Sequence, residues 1–329
     1  MRIPFEQLVA EFKRILLQLG FAEEKADLCA LAFAENSRDG VYTHGLNRFP
    51  KFVKSIKAGE INRDAMPTLV NGLGALERWD GNWGPGVINA RFCMDRAITL
   101  AQQNGIACVA LKNTNHWMRG GSYGWQAAEA GLIGICITNA TATTVPWGGT
   151  TSTLGNNPLV IAVPRQEGHV VLDMAVSQYS YGKVLQYKSY NQPLPFQGGY
   201  DSEGVLTTDS EAVAASMRLL PIGFWKGSGL SMMLDLLVAV LSEGRAVKDM
   251  TEEKTEAGVS QLFIAIKPGD NEQTESIVNQ IIAFTKSSPS ARANEPVLYP
   301  GENTLKTRAK SLDEGVLVDE KIWEEVRAL

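Results

Sequence analysis

Apolar residues recur every three or four positions through residues 5–58, the spacing of helices with one buried face. This repeat predicts three helices, over about residues 5–19, 23–38 and 45–58. Pro50 falls near the first turn of the third helix, where proline is best tolerated. Glycines follow the first two helices, as is common at helix C-termini. We therefore expect an all-helical N-terminal unit.

From about residue 68 the pattern changes to short apolar runs that are separated by turns and by helical repeats. The predicted strands cover about residues 68–70, 75–79, 106–112, 132–139, 158–163, 170–175 and 259–266. The predicted helices cover about residues 84–103, 121–129, 226–242 and 271–286. Asn71-Gly72, between the first two runs, is a dipeptide typical of hairpin turns. Helices that alternate with buried strands indicate α/β layering.

Three further regions have distinct patterns. Residues 141–157 form a loop rich in Thr, Gly and Pro, and a loop of that length in a compact domain is usually functional. Residues 176–224 are polar without a clear period, so we expect irregular structure there. The repeat over residues 226–242 predicts the most apolar helix of the chain, which is expected in the core. The tail predicts a helix, a short strand at 316–318 and a closing amphipathic helix.

Length and charge restrict the class of protein. A chain of 329 residues exceeds what one core usually serves, so we expect two domains, the first ending near residue 66. The net charge of -5, without a basic run, argues against nucleic-acid or anionic membrane partners. The four cysteines form no C-x-x-C pair and lie in apolar segments, as reduced thiols do. With no visible signal peptide and no apolar run long enough to span a bilayer, we expect a cytoplasmic protein.

Several cofactor and hydrolase motifs are absent from the sequence. No G-x-G-x-x-G occurs, so the sequence does not support a Rossmann phosphate turn. No Walker loop, G-x-S-x-G elbow or H-E-x-x-H occurs either. The chain has three histidines and no clustered thiols, so we expect no metal site.

The segment of residues 40–50 combines a histidine, an arginine and a hydroxyl at a predicted helix start. Thr43 and His44 fall at or before the first turn, and Arg48 lies one turn further on, on roughly the same face. A proton donor beside an anion-binding guanidinium suits a small oxo- or hydroxy-acid. The spacing fits a capped surface helix with a neighbouring histidine as well, and spacing alone favours that interpretation.

The other two histidines have less distinctive surroundings. His116 lies between a buried strand and a helix, where α/β proteins bind ligands, but a Gly-rich turn with a core aromatic explains the segment equally well. His169 begins a strand after a turn, and by itself it fits an exposed turn residue better than a site residue.

Five segments together resemble the type-2 malate/L-lactate dehydrogenase family. They are Val41-Tyr-Thr-His-Gly-Leu-Asn-Arg-Phe-Pro50, Asn113-x-Asn-His-Trp-Met-Arg-Gly-Gly-Ser-Tyr-Gly-Trp125, Pro146-Trp-Gly148, Gly155-x-Asn-Pro-Leu159 and Trp225-Lys-Gly-Ser-Gly229. The resemblance extends from about residue 5 to 323 and implies an NAD(P)-dependent oxidoreductase. It also implies a non-Rossmann cofactor domain over 67–299, built on a mixed, largely antiparallel sheet flanked by helices. A helical domain would combine residues 1–66 with about 300–329.

The resemblance also implies the roles of individual residues. His44 corresponds to the proton donor. The expected cofactor-binding residues are His169, Val170, Val171, Leu172, Asp173, Met174, Ala175, Trp225, Lys226, Gly301, Glu302 and Asn303. The sequence departs from the family in three places. Thr43 stands where serine is usual, and residues 302–304 differ, which makes the cofactor-binding role of that segment the weakest assignment. Residues 185–196 also differ, and substrate selectivity could shift there.

These assignments imply a mechanism. A protonated His44 would neutralise the charge that develops on the substrate oxygen, and Arg48, assisted by Thr43, would bind the carboxylate. His116 would share the oxyanion or orient His44. A helix N-terminus disfavours an imidazolium, so a carboxylate should hold His44 charged, and Asp173 is the candidate.

The expected reaction is reduction of the 2-oxo group of a sugar acid with NADH, and NADPH is the alternative cofactor. The alternatives are a related dehydrogenase for malate, lactate or an imino acid, and a non-redox sugar-acid isomerase or binding protein. The family implies a homodimer, and four aromatic residues in loops support it: Trp147, Tyr179, Tyr181 and Trp225.

Overall fold

The computed structural model describes residues 1–269, 271–292 and 295–329 of the chain. The α-helices in these ranges are α1 (Phe5–Gln18), α2 (Glu23–Arg38), α3 (Phe49–Lys57), α4 (Gly86–Asn104), α5 (Gly121–Glu129), α6 (Tyr181–Ser189), α7 (Ser210–Ser216), α8 (Trp225–Ser242), α9 (Val247–Glu252), α10 (Asn271–Lys286), α11 (Glu302–Glu314) and α12 (Glu320–Arg327). The strands are β1 (Arg2–Ile3), β2 (Thr68–Leu73), β3 (Leu76–Asp80), β4 (Ile106–Thr114), β5 (Ile133–Thr138), β6 (Ala142–Thr144), β7 (Leu154–Gly155), β8 (Leu159–Val163), β9 (Val170–Met174), β10 (Gly199–Tyr200), β11 (Leu206–Thr207), β12 (Arg218–Leu219), β13 (Val259–Ile266) and β14 (Val316–Leu317). Two 3₁₀ turns, Tyr42–His44 and Leu46–Arg48, precede α3.

A seven-stranded sheet with the order β2-β3-β4-β13-β5-β8-β9 forms the centre of the molecule. Its β3–β4 pair is parallel, and its other neighbouring pairs are antiparallel. Val109 and Leu111 of β4 pack with α4 and α5 on one face, whereas Ala110 packs with α8 on the other. Both faces are therefore covered by helices. The predicted mixed, largely antiparallel α/β sheet is confirmed.

The N-terminal helices and the end of the chain share a second core. Phe12, Phe33 and Phe49 pack with ring centroids 4.3 to 6.1 Å apart, and Trp323 of α12 is buried in the same cluster. β1 pairs with β14, which joins the two ends of the chain directly. This packing supports a helical unit formed by both ends, and its boundaries at residues 66 and 300 remain a prediction.

Two predictions for the first 80 residues were wrong: the start of the third helix and the position of the β2–β3 turn. The third helix begins at Phe49 rather than near residue 45, because the backbone of Gly45 (φ -109°, ψ -124°) is not helical. The hairpin turn lies at Gly74, which adopts a positive φ of 59°. Asn71 and Gly72 belong to β2 and pair with residues of β3, so they do not form the turn.

The region of residues 176–224 is more regular than its sequence suggested. It contains α6, α7 and three short strands. Side chains cap both helices, because the hydroxyl of Ser180 accepts a hydrogen bond from Lys183 N and the carboxylate of Asp209 accepts from two amides. These N-cap residues were the available signal for the missed helices.

Helix α8 was expected in the core, and only one side of it is buried there. Leu234 and Val238 are buried against the sheet, but Met232, Met233 and Val240 on the other side are 53–67% exposed. In the described parts of the chain, no helix is both long and apolar enough to cross a membrane.

Candidate active site

The turn that carries His44 is fixed by the C-terminal end of α2. Asn36 Nδ2 donates a hydrogen bond of 2.9 Å to the carbonyl of His44. Ser37 Oγ accepts one of 2.8 Å from Leu46 N. A Cβ on Gly45 would overlap Ser37 Oγ and lie 2.7 Å from Ser37 N, so only glycine allows this close approach. The main chain, rather than the ring, therefore anchors His44.

The structure brings His44 and His116 together, with ring centroids 5.5 Å apart and planes inclined by 33°. Nδ1 of His116 accepts a hydrogen bond of 2.9 Å from Met118 N, so the neutral ring carries its proton on Nε2. Burial lowers the pKa of His116 to about 3 and that of His44 to about 4. Both rings are therefore neutral at pH 7 in the free protein. Within the described residues no hydrogen bond is made by the His44 ring, which leaves it available to a ligand.

Asp173 opposes the effect of burial on His44. Its charge is the largest influence that raises the pKa of His44, against burial and the charge of Arg48. Asp173 Oδ2 accepts a hydrogen bond of 2.9 Å from Gly121 N and lies 3.8 Å from Arg119 Nε. The carboxylate is thus held at the start of α5, where its charge acts on the His44 imidazole.

A buried carboxylate lies behind Arg119. Asp39 accepts hydrogen bonds from Arg119 (2.7 Å), Arg308 (2.7 and 2.8 Å) and Arg38 (2.9 Å). Burial by itself would raise the pKa of Asp39, but these three guanidinium groups lower it to about 2. The cluster connects α2 and α11 to the loop that carries Arg119 and so to Asp173. Sequence reasoning did not identify it, since Arg119 and Arg308 lie 80 and 269 positions from Asp39 along the chain.

Arg48 already has a protein partner in the structure. Its Nη2 donates a hydrogen bond of 2.9 Å to Glu256 Oε2, and Lys51 Nζ lies 3.5 Å from the same oxygen. Burial would raise the pKa of Glu256, but the neighbouring His116, Arg48 and Lys51 lower it to about 2. Glu256 is therefore ionised. Sequence reasoning had not identified this residue as part of the site. Arg48 also belongs to the second 3₁₀ turn and not to one continuous helix with His44.

These side chains border a cavity of about 190 Å³. Its lining includes Arg48, Lys51, His116, Lys254 and Glu256. His44 is not part of this lining and lies beside it, next to His116. The methyl of Thr43 is 3.2 Å from where a Cβ of Gly182 would stand, so α6 lies against the turn that carries His44. The cavity suits a small anion close to the imidazole pair.

The predicted cofactor segments meet along β9, the edge strand of the sheet. At one end Val171 N donates a hydrogen bond of 2.9 Å to Pro300 O, next to Gly301. At the other end Ile222 N donates one of 2.9 Å to Val176 O, close to the start of α8. Residues 169–175 therefore connect the other two predicted segments over roughly 20 Å, at about 3.3 Å per residue. An extended dinucleotide fits a span of that order.

The exposed groups along this edge also fit such a ligand. Trp225 is 67% exposed, and Lys226 is exposed beside it in the first turn of α8. The N-terminus of this 18-residue helix is suited to phosphate. Asp173 and Asn303 are exposed as well, whereas Val171 is buried.

Two of the predicted cofactor residues have structural partners. The carboxylate of Glu302 accepts hydrogen bonds of 2.8 to 2.9 Å from Lys286 and Lys306. His169 Nδ1 accepts one of 3.1 Å from Arg165 N, and its ring packs 5.7 Å from that of Trp125. Their side chains stabilise the turn around Gly301. In the described part of the chain, no group of three or more His, Cys, Asp or Glu residues could hold a metal ion.

Known proteins resemble this chain over its whole length. The 2,3-diketo-L-gulonate reductases of Citrobacter koseri and of an Escherichia coli O6 strain are 43% and 42% identical to it, and each alignment covers 100% of both chains. The crystal structure of malate dehydrogenase from Entamoeba histolytica has a TM-score of 0.94 at 23% identity and covers 100% of this chain and 96% of that one. The structure of malate dehydrogenase from Pyrococcus horikoshii matches with a TM-score of 0.90 at 29% identity, and the match covers 99% of this chain and 93% of that one.

The family profile described as malate/L-lactate dehydrogenase matches residues 3–327. The match includes both histidine segments, β9 and the C-terminal helices. The chain belongs to the malate/L-lactate dehydrogenase family.

Proposed function

We propose that this oxidoreductase reduces the 2-oxo group of a sugar acid, and that it converts 2,3-diketo-L-gulonate to 3-dehydro-L-gulonate. The observation that carries the reaction type is the pair of imidazoles 5.5 Å apart beside an arginine-lined cavity. The full-length identity of 42–43% to 2,3-diketo-L-gulonate reductases supports the substrate.

The residues of the site divide the work of the reaction. A bound nicotinamide cofactor supplies the hydride. His44 donates a proton to the substrate oxygen as negative charge develops there. Arg48, with Thr43 nearby, binds the substrate carboxylate and orients the oxo group. His116 presents its Nε2–H and shares the developing charge.

The proton on His44 depends on neighbouring carboxylates. Burial lowers the pKa of His44 to about 4 in the free protein. Asp173 raises it, and an anionic substrate beside the ring would raise it further. Substrate binding would therefore favour the imidazolium that the reaction requires.

The nicotinamide cofactor is proposed to lie along residues 169–175, between Trp225-Lys226 and residues 301–303. Its pyrophosphate would meet the N-terminus of α8, where backbone N–H groups and Lys226 favour negative charge. NADH is the proposed form. An added 2′-phosphate would require a further cation, and titration with NADH and NADPH measures this directly.

We also propose that the protein is a cytoplasmic homodimer. Helix α8 exposes five apolar residues within nine positions, and such a group is typical of an interface rather than of isolated surface residues. They are Met232, Met233, Leu236, Leu237 and Val240. Trp147 and Trp225 are exposed, whereas Tyr179 and Tyr181 pack within their own chain. Sedimentation of one species near 35.8 kDa at micromolar concentration would exclude the dimer. The free cysteines fit a reducing compartment.

The test of the function is a substrate panel. The purified protein should oxidise NADH faster with 2,3-diketo-L-gulonate than with pyruvate, oxaloacetate or a cyclic imino acid. A clear preference for one of the latter would replace the sugar acid by the alternative that the dehydrogenase relatives represent. No turnover with any 2-oxo acid and either cofactor would refute the proposal, and the non-redox alternatives would return.

A further inference from the structure

Glu256 occupies an unusual place for a carboxylate, inside the cavity proposed to bind an anionic substrate. It lies in the segment between α9 and β13, and its Oε2 is 2.9 Å from Arg48 Nη2. Its side chain is 30% exposed and borders the same cavity as His116. The mechanism above gives this carboxylate no chemical step, so its position needs another explanation.

The charges around the cavity show what it can accommodate. Three cations, Arg48, Lys51 and Lys254, and two carboxylates, Glu60 and Glu256, belong to its lining. With His116 neutral, the lining carries one net positive charge. One substrate carboxylate balances that charge, whereas a second carboxylate would make the occupied cavity net negative and would be repelled by Glu256. Like charges in a partly buried site repel each other strongly.

The hydrogen bond between Arg48 and Glu256 leaves both side chains able to bind substrate. Within the described residues, the Arg48 side chain makes one hydrogen bond, through Nη2, although a guanidinium has five N–H donors. Its remaining donors can bind the carboxylate of a 2-oxo acid. The carboxylate of Glu256 has free acceptor positions, and hydroxyl groups are suitable donors for them.

We propose that Glu256 is a specificity-determining residue, which accepts hydrogen bonds from the hydroxyl groups of a polyhydroxy monocarboxylate and excludes dicarboxylates. The inference rests on the proposed reduction of a 2-oxo acid and adds the class of substrate that this chain selects.

The first test uses the unmodified protein and two substrates of matched shape. Oxaloacetate and 2-oxobutyrate share a four-carbon 2-oxo acid skeleton, and only the former has a second carboxylate. The kcat/KM for 2-oxobutyrate should exceed that for oxaloacetate by at least about tenfold, a difference of about 1.4 kcal/mol or more. Equal values would overturn the inference without the use of any variant.

The second test neutralises the carboxylate with Glu256→Gln. The ratio of kcat/KM for oxaloacetate to that for 2-oxobutyrate should rise about tenfold. The kcat/KM for 2,3-diketo-L-gulonate relative to 2-oxobutyrate should fall, because a neutral amide accepts hydroxyl hydrogen bonds less strongly than a carboxylate does. Glu252→Gln is the matched control, since Glu252 is a surface partner of Lys248 outside the cavity.

The outcomes separate the possible roles of Glu256. An equal decrease for all substrates, with unchanged ratios, would show that Glu256 only positions Arg48 and would overturn the inference. The same ratio change in Glu252→Gln would attribute the effect to net charge and would overturn it too. If the unmodified protein reduces no 2-oxo acid at all, the proposed function fails before Glu256 is tested.

Discussion

Asp39→Asn should destabilise the protein strongly, because Asp39 is the common partner of three arginines. Asp39 is 5% exposed and accepts four hydrogen bonds of 2.7 to 2.9 Å from them. The variant keeps the size of the side chain and removes its charge. Arg119, with a side chain 5% exposed, would then retain a positive charge in the interior without its buried carboxylate.

The magnitude follows from the pKa of Asp39 and from the cost of an unpaired charge. The pKa falls from 3.8 to about 2 on folding. A shift of nearly two units corresponds to about 2.5 kcal/mol of stability at neutral pH. Removing one partner of a buried pair typically costs about 3–5 kcal/mol, which we expect here. Thermal unfolding followed by circular dichroism should show a decrease of roughly 5–15 °C in Tm.

The pH dependence gives an independent check. A carboxyl whose pKa is lowered on folding stabilises the protein above its unfolded pKa of 3.8, and this contribution is lost as the pH falls through about 2. The difference between wild type and Asp39→Asn should therefore stay constant at neutral pH and narrow below about pH 4. Asp64→Asn is the control, because its side chain is 77% exposed. A loss below about 1 kcal/mol in Asp39→Asn, as for a surface residue, would refute this reasoning.

Other variants test the proposed site. His44→Ala should lower kcat by roughly a hundred- to ten-thousandfold with little change in NADH affinity, measured by steady-state kinetics and fluorescence titration. Asp173→Asn should lower the pKa of His44, so the decline of kcat/KM with rising pH should begin at a lower pH; an unchanged profile would remove Asp173 from this role. Arg48→Lys should reduce both turnover and substrate affinity, since an ammonium cannot form the planar two-bond contact. Lys226→Ala should weaken NADH binding about tenfold, and unchanged affinity would exclude Lys226 from the cofactor site.

The sequence predicted those parts of the fold in which one pattern dominates. The bounds of α2, α5, β13 and α10 match the predicted ranges. The start of α3 was missed because the close contact between Gly45 and Ser37, and not the apolar repeat, determines the backbone there. Helices α6 and α7 are short and depend on single capping residues, a weaker signal than a repeat.

The helix α8 shows a different limit of sequence reasoning. Its high hydrophobicity predicted burial, but hydrophobicity does not distinguish a side chain that is buried in the core from one that stays exposed on the surface. Val238 is fully buried, whereas Val240, two positions later, is 67% exposed. Both are valines in the same helix, so only the three-dimensional arrangement assigns them to different environments.

The candidate site shows most clearly why charge must be counted in three dimensions. The sequence marked His44 and Arg48 by their proximity, and it therefore treated Arg48 as a free cation. Its partner Glu256 lies 208 positions away, and no pattern along the chain relates the two. Once they are paired, one carboxylate changes both the charge that the cavity can accept and the groups that it can hydrogen-bond. A reading of local sequence identifies the residues able to perform the reaction, whereas the selection of a substrate depends on contacts that only the folded chain creates.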